Sequence, residues 1–195
     1  MKLAALLLVA AQITMAQMNV RYWPGEHEKA VFAEWAMQAW ARASGGLLRV
    51  EKVDTPEQAT IRFRWLEPHR RGLYGQSLAT RENGVAIFEI VINSSITSLG
   101  TDMAAAARRD PLFADVILFL TCVHEAGHAL GPEHTRDFAD IMYSFEHGGD
   151  FVGYFNRYRQ KLTRREDMSR ISPLSEADAR QIRDWASGRK QNEKR

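Results

Sequence analysis

His124-Glu125-Ala126-Gly127-His128-Ala129-Leu130-Gly131-Pro132-Glu133-His134 is the stretch on which the reading of this chain turns. His124 and His128 lie four residues apart. On a helix both imidazoles project from one face, one turn apart, and both can reach a single cation at about 2.0–2.1 Å. Glu125 stands one step round the same helix, near enough to touch a water at that cation without being a ligand. A continued helix would carry His134 away from the other two. Gly131 accepts the left-handed backbone and Pro132 does not sit easily inside a helix, so the two predict a turn that brings His134 back as a third ligand. Three imidazoles leave a fourth position open, the pattern of catalytic and not structural zinc sites. The chain has 6 His. The full spacing arises by chance on the order of once in ten thousand such sequences or less.

Outward from this stretch, helix punctuation is clear. Asp110 suits an N-cap, Pro111 the first helical position and Gly131 the exit, which predicts one long helix. Val116, Phe119, Val123, Ala126 and Leu130 form one apolar stripe and Phe113, Ile117 and Leu120 another, so this helix belongs inside the protein. Residues 26–44 read as an earlier helix, with Val31, Phe32, Trp35, Ala36, Ala39 and Ala43 at helical spacing and Gly45-Gly46 as its stop. Strands are expected at 47–53 and where Ile61, Phe63 and Trp65 alternate with Arg62 and Arg64. Residues 76–80 and 85–92 flank Arg81-Glu82-Asn83-Gly84, a hairpin signal because Asn and Gly tolerate positive φ. A last helix is expected from Ser175, where Ser-Glu-Ala-Asp forms a capping box with Asp178. There is no internal repeat and no linker. The pattern predicts one α+β domain.

Composition narrows the function classes. The chain has 195 residues, 45% of them hydrophobic and 26% charged, which excludes a disordered or low-complexity protein. A net charge of +2 gives no reason to expect a nucleic-acid partner. Cys122 is the single cysteine, so neither an intramolecular disulfide nor an all-cysteine zinc site can form, and a buried thiol is expected. Lys2, an apolar run over residues 3–11 and the ending Thr14-Met15-Ala16 have the order of a secretory signal cut after Ala16. The run is shorter than the ~20 residues that span a bilayer. The expectation is a signal peptide at 1–16, a mature domain at 17–195 in a secreted or periplasmic location, and no stable membrane insertion. The basic residues between Arg157 and Arg165 read as a solvated face, or as an accessory surface for acidic polymers or membranes.

The eleven-residue stretch resembles the metzincin zinc endopeptidases, in particular the matrixin-like branch of the matrix metalloproteinases, and matches their His-Glu-x-x-His-x-x-Gly-x-x-His pattern at every specified position. Asp140-Ile141-Met142-Tyr143 is similar to their Met-turn, which would make Met142 an apolar floor beneath the metal. The resemblance implies a zincin fold: a twisted mixed sheet with a first helix, an active-site helix and a C-terminal helix. It implies Zn2+ held by His124, His128 and His134, and peptide-bond hydrolysis of a protein or peptide substrate by zinc-activated water, with Glu125 as general base. The 75–92 hairpin would be the sheet edge on which substrate lies as an added strand. Asp178 fits a family aspartate that bonds the Met-turn backbone, and equally fits plain helix capping. Residues 144–173 would wall the specificity pocket, with Phe151, Tyr154, Phe155 and Tyr158 alternating with Arg157, Arg159 and Lys161.

Departures from the family are also visible. No cysteine stands upstream to cap the zinc, so cysteine-switch latency is not implied. The structural zinc and calcium loops of the animal enzymes are not recognisable, which leaves Ca2+ open. Tyr143 directly follows Met142, one position short of the tyrosine ligand of astacin-like enzymes, and is not expected to ligate. His27, His69 and His147 are isolated. A monomer is expected. The alternative function is a secreted zinc-binding module that does not cleave, against which the retained Glu125 speaks.

Overall fold

The computed structural model describes residues 17–66, 74–95 and 100–189; the expected signal at 1–16 and His69 lie outside them. The described chain is α+β, with five strands in one mixed sheet and five α-helices: β1 Met18–Trp23, α1 Ala30–Ala43, β2 Leu48–Lys52, β3 Ile61–Leu66, β4 Gly75–Glu82, β5 Val85–Asn93, α2 Thr101–Arg109, α3 Pro111–Ala129, α4 Phe151–Arg159 and α5 Glu176–Ala186. The strand order is β2-β1-β3-β5-β4. All neighbours run parallel except β4, which pairs antiparallel with β5 and forms an edge of the sheet.

The hairpin is explained by its turn. Glu82 pairs with Val85, and between them Asn83 and Gly84 have φ of 51° and 83°. Both central residues at positive φ give the backbone twist that continues into right-twisted strands. Register then puts Tyr22, Ile61, Phe63, Phe88, Ile90 and Ile92 on one face, where they pack into the core. On β4 the partners of Ile92, Ile90 and Phe88 are Gly75, Ser77 and Ala79. The inward face of the edge strand is therefore made of small residues, which leaves room for α3. Arg62 and Arg64, the basic face of β3, are paired with Glu82 and Glu89.

Helix α3 is the central rod. Asp110 accepts from the backbone N–H groups of Leu112 and Phe113, and Pro111 opens the helix. Val116, Ile117, Leu118, Phe119 and Val123 are fully buried. By length and apolarity α3 could cross a bilayer, but 83% of its apolar window is buried within the protein. Helix α1 packs beside it, and the Trp40 indole N–H donates to the Val123 carbonyl at 2.8 Å. This first helix starts at Ala30, four residues after the start expected at 26, and in the turn ahead of it His27 Nδ1 accepts from the Lys29 N–H.

Three elements escaped the sequence reading: β1, α2 and α4. The last of these lies in the 144–173 segment. There the basic residues act as braces. Arg157 donates to the carbonyls of Phe138 and Asp140 and stacks over Tyr154 at 4.2 Å; Arg159 pairs with Asp110 and Arg165 with Asp115, each at 2.7 Å. Half-exposed ion pairs of this kind contribute about 0–1 kcal/mol each. Burial of Phe155, Tyr158, Leu162 and Met168 contributes roughly 1.5–3 kcal/mol per side chain, so apolar packing attaches the segment and the arginines set its register. Arg157, Arg159 and Arg165 are thus committed to the fold, while Lys161 and Arg164 of the same stretch are exposed.

Beyond the segment, in α5, Asp178 fills two roles at once. Its carboxylate closes the capping box, accepting from Ser175 N–H at 2.9 Å, and also accepts from Ile141 N–H at 2.9 Å and Met142 N–H at 3.3 Å. Capping and holding the turn are one arrangement, and Asp178 is fully buried within it. Leaving buried N–H groups without an acceptor costs about 1–3 kcal/mol each, so Asp178→Ala is expected to lose at least about 2 kcal/mol of stability, measured by urea denaturation. A variant as stable as wild type would show that the turn stands without this carboxylate.

Candidate metal centre

The three histidines of the sequence pattern meet. His128 Nε2 lies 3.2 Å and His134 Nε2 3.3 Å from His124 Nε2. One ring nitrogen from each histidine falls within a single cluster, with all pairs inside 4.8 Å. Donors at 2.0–2.1 Å in a tetrahedral array stand about 3.3–3.4 Å apart, which the two separations from His124 match, so the three histidines lie close enough to bind a metal ion. The donor set of three imidazoles suits zinc and other borderline divalent metals. No other such group is found among the described residues.

Each ring is aimed by a different device. His124 and His128 share one face of α3 near its C-terminal end. The Nδ1 of His124 lies 2.7 Å from the Ile141 carbonyl, so Nδ1 carries the proton and Nε2 keeps its lone pair for a metal. Burial holds both imidazoles below their ordinary range, each to about 4, so they are neutral and ready to ligate at pH 7. His134 arrives by the turn. Gly131 has φ of 94°, and a β-carbon there would fall on the Trp185 indole of α5. Met142 is fully buried directly behind α3, and a β-carbon on Gly127 would collide with it and with Trp40. The thioether packs against α3 at this point, and the helix can come this close because residue 127 has no side chain.

Glu125 is buried beside the triad. Desolvation raises its carboxyl to about 7, although the Ser77 backbone N–H donates to it and works in the opposite direction. Ser77 belongs to β4, and the contact between strand and carboxylate is close: a β-carbon at Gly75 would stand 2.6 Å from both Glu125 Cγ and Thr121 Cγ2. Next to Glu125 opens a cavity of about 380 Å3. Leu120 and Thr121 of α3, Tyr74 ahead of β4, and Phe145, Phe151, Tyr154 and Phe155 line it. Phe145 and Phe151 stack with centroids 4.3 Å apart. The 144–173 segment thus does wall a pocket, through a 3-10 turn and α4.

Residues outside the triad are occupied elsewhere. Tyr143 donates its hydroxyl to the Gly148 carbonyl at 2.7 Å, His27 stacks on Trp65, and His147 packs edge-on near Tyr143. Cys122 is fully buried, which pushes its thiol up. The sequence reading did not single out Gly75, Gly127 or Trp185. A glycine at the start of a strand was the one available signal, since it marks close approach of another group.

Removal of a single imidazole should break the cluster. His134→Ala is expected to reduce zinc content well below one equivalent, checked by metal analysis of protein purified in zinc-supplemented buffer; full occupancy would mean that the third ligand lies elsewhere. No protein-family model matches the chain, and a search of curated proteins finds no match, so the chemistry of this centre rests on its own geometry.

Proposed function

We propose that this protein is a secreted or periplasmic zinc-dependent endopeptidase of the metzincin, matrixin-like kind. The observation that carries the proposal is the triangle of Nε2 atoms with a buried carboxylate and an apolar cavity at its side. Further support comes from the edge strand. Among the described residues the β4 strand has a partner on one side only, and it touches Glu125 through Gly75 and Ser77. An extended peptide laid against that edge would form a sixth strand passing the triad.

His124, His128 and His134 would hold the ion. When bound, zinc supplies Lewis acidity, polarising a carbonyl and bringing the pKa of water towards about 7. The protein does the rest. Glu125 takes the proton of the attacking water on its carboxylate and passes it to the departing amide nitrogen, the two halves of general base and general acid work. Ser77 N–H orients that carboxylate. The aromatic cavity takes one apolar substrate side chain and so fixes which bond faces Glu125.

Glu125→Ala is expected to keep one equivalent of zinc and to lose at least about 100-fold in peptidase activity, measured on a peptide library with and without chelator. Activity within a few-fold of wild type would remove Glu125 from the role of base. A zinc-loaded wild-type protein that cleaves nothing in the library would favour the non-catalytic zinc-binding module.

Profiling of cleavage sites is expected to show one subsite that prefers large apolar or aromatic residues over glycine by at least about tenfold in kcat/KM. Indifference at every subsite would separate the cavity from substrate binding.

A further inference from the structure

His134 has the least behind it of the three imidazoles. His124 and His128 ride on α3, whereas His134 sits exposed in a loop beyond the helix end. Its Nε2 is nonetheless placed within 3.3 Å of its counterpart on His124. The backbone is tied down on both sides of it. Downstream, Thr135 N–H donates to the Met142 carbonyl at 2.8 Å and Ser144 N–H to the Thr135 carbonyl at 3.1 Å, a short bridge to the turn. Upstream, Glu133 directs both its backbone groups at one side chain. Its N–H donates to Gln181 Oε1 at 2.8 Å, and its carbonyl accepts from Gln181 Nε2 at 3.1 Å.

A primary amide presents an acceptor and donors in one plane, so Gln181 pairs with Glu133 as a neighbouring strand would. Gln181 also sits among the residues of α5 that serve this region. Asp178, Gln181 and Trp185 follow at spacings of three and four and lie along one stripe of the helix. Asp178 holds Ile141 and Met142, and Trp185 fills the space beside Gly131.

We propose that Gln181 is a positioning residue of the metal centre: its amide fixes Glu133 and thereby holds His134 in the ligand triangle before metal arrives. This inference rests on the reading of that triangle as a zinc site. A loop ligand that must be ordered on binding weakens affinity, and one ordered beforehand does not.

The test is a zinc titration of the purified protein against a competing chromophoric chelator. Gln181→Met keeps the length of the side chain and removes both hydrogen-bonding groups. Its zinc Kd is expected to rise about tenfold, the low end for residues that support metal ligands. Its metal-free thermal midpoint should stay within about 4 °C of wild type. In a His134→Ala background the same substitution should change the zinc Kd by less than about twofold, because the residue it positions is gone. Gln181→Glu keeps the acceptor for Glu133 N–H and loses the donor; it should fall between, and it carries the test if the methionine variant does not fold. An unchanged Kd in the single variants, or an equal loss in both backgrounds, overturns the proposal. A wild-type protein that takes up no zinc sinks the proposed function itself, a result distinguishable from failure of Gln181 alone.

Discussion

Asp178 has no access to water, and a carboxylate in that situation is tolerated only where donors surround it. Its donors come from two places far apart in the chain: Ser175 at the start of its own helix, and Ile141 and Met142 in the turn behind the metal centre. The carboxylate therefore couples the last helix to the turn. From Ile141 the constraint continues, because the carbonyl of that residue meets His124 Nδ1 and also accepts from the Tyr154 hydroxyl. A single buried charge thus links a helix cap, a turn, a histidine tautomer and the aromatic wall of the cavity.

The centre is supported unevenly. Two of its imidazoles inherit the rigidity of a helix whose middle is fully enclosed, and the third depends on side chains and backbone bonds supplied by other elements. Side-chain bonds to exposed backbone are individually modest, about 0.5–1.5 kcal/mol. Ordering at His134 comes from two of them at Glu133 together with backbone bonds at Thr135. Glu125 is placed differently again, by a strand that brings only small residues to the helix and so lets the carboxylate lie close to the sheet edge.

What could be read in the residues was whatever local chemistry determines. Asp110-Pro111, the Ser175–Asp178 box and Asn83-Gly84 each satisfy backbone requirements within a few positions, and the elements they punctuate are where those residues put them. The spacing of His124, His128 and His134 is likewise local, with Gly131 supplying the return. The misses have physical causes. Strand β1 is short, with Met18, Val20 and Tyr22 turned inward, and it follows directly on the leader-like run. Helix α2 buries only Met103 and Ala107, too little for an apolar stripe to show. Helix α4 is aromatic-rich and contains Gly153, and its alternating rings and cations conceal a helical period. Nothing near Gly127 or Gly75 in sequence announces Met142 or Glu125 as the neighbour; those demands come from partners brought in by the fold.

The double employment of α3 has a consequence for how this chain can vary. The same rod fills the interior and presents the imidazoles, and its residue 127 lies under Met142 and Trp40 with no room to spare. An enlargement at any of these three places shifts the rod lengthwise or sideways, and the rings at its end travel with it. Drift in the interior, which most proteins absorb by small mutual adjustments, is here transmitted to the chemistry. Tolerance to mutation should therefore be lowest at apolar positions remote from the surface, and compensating changes should arise in groups spread over α1, α3 and the turn.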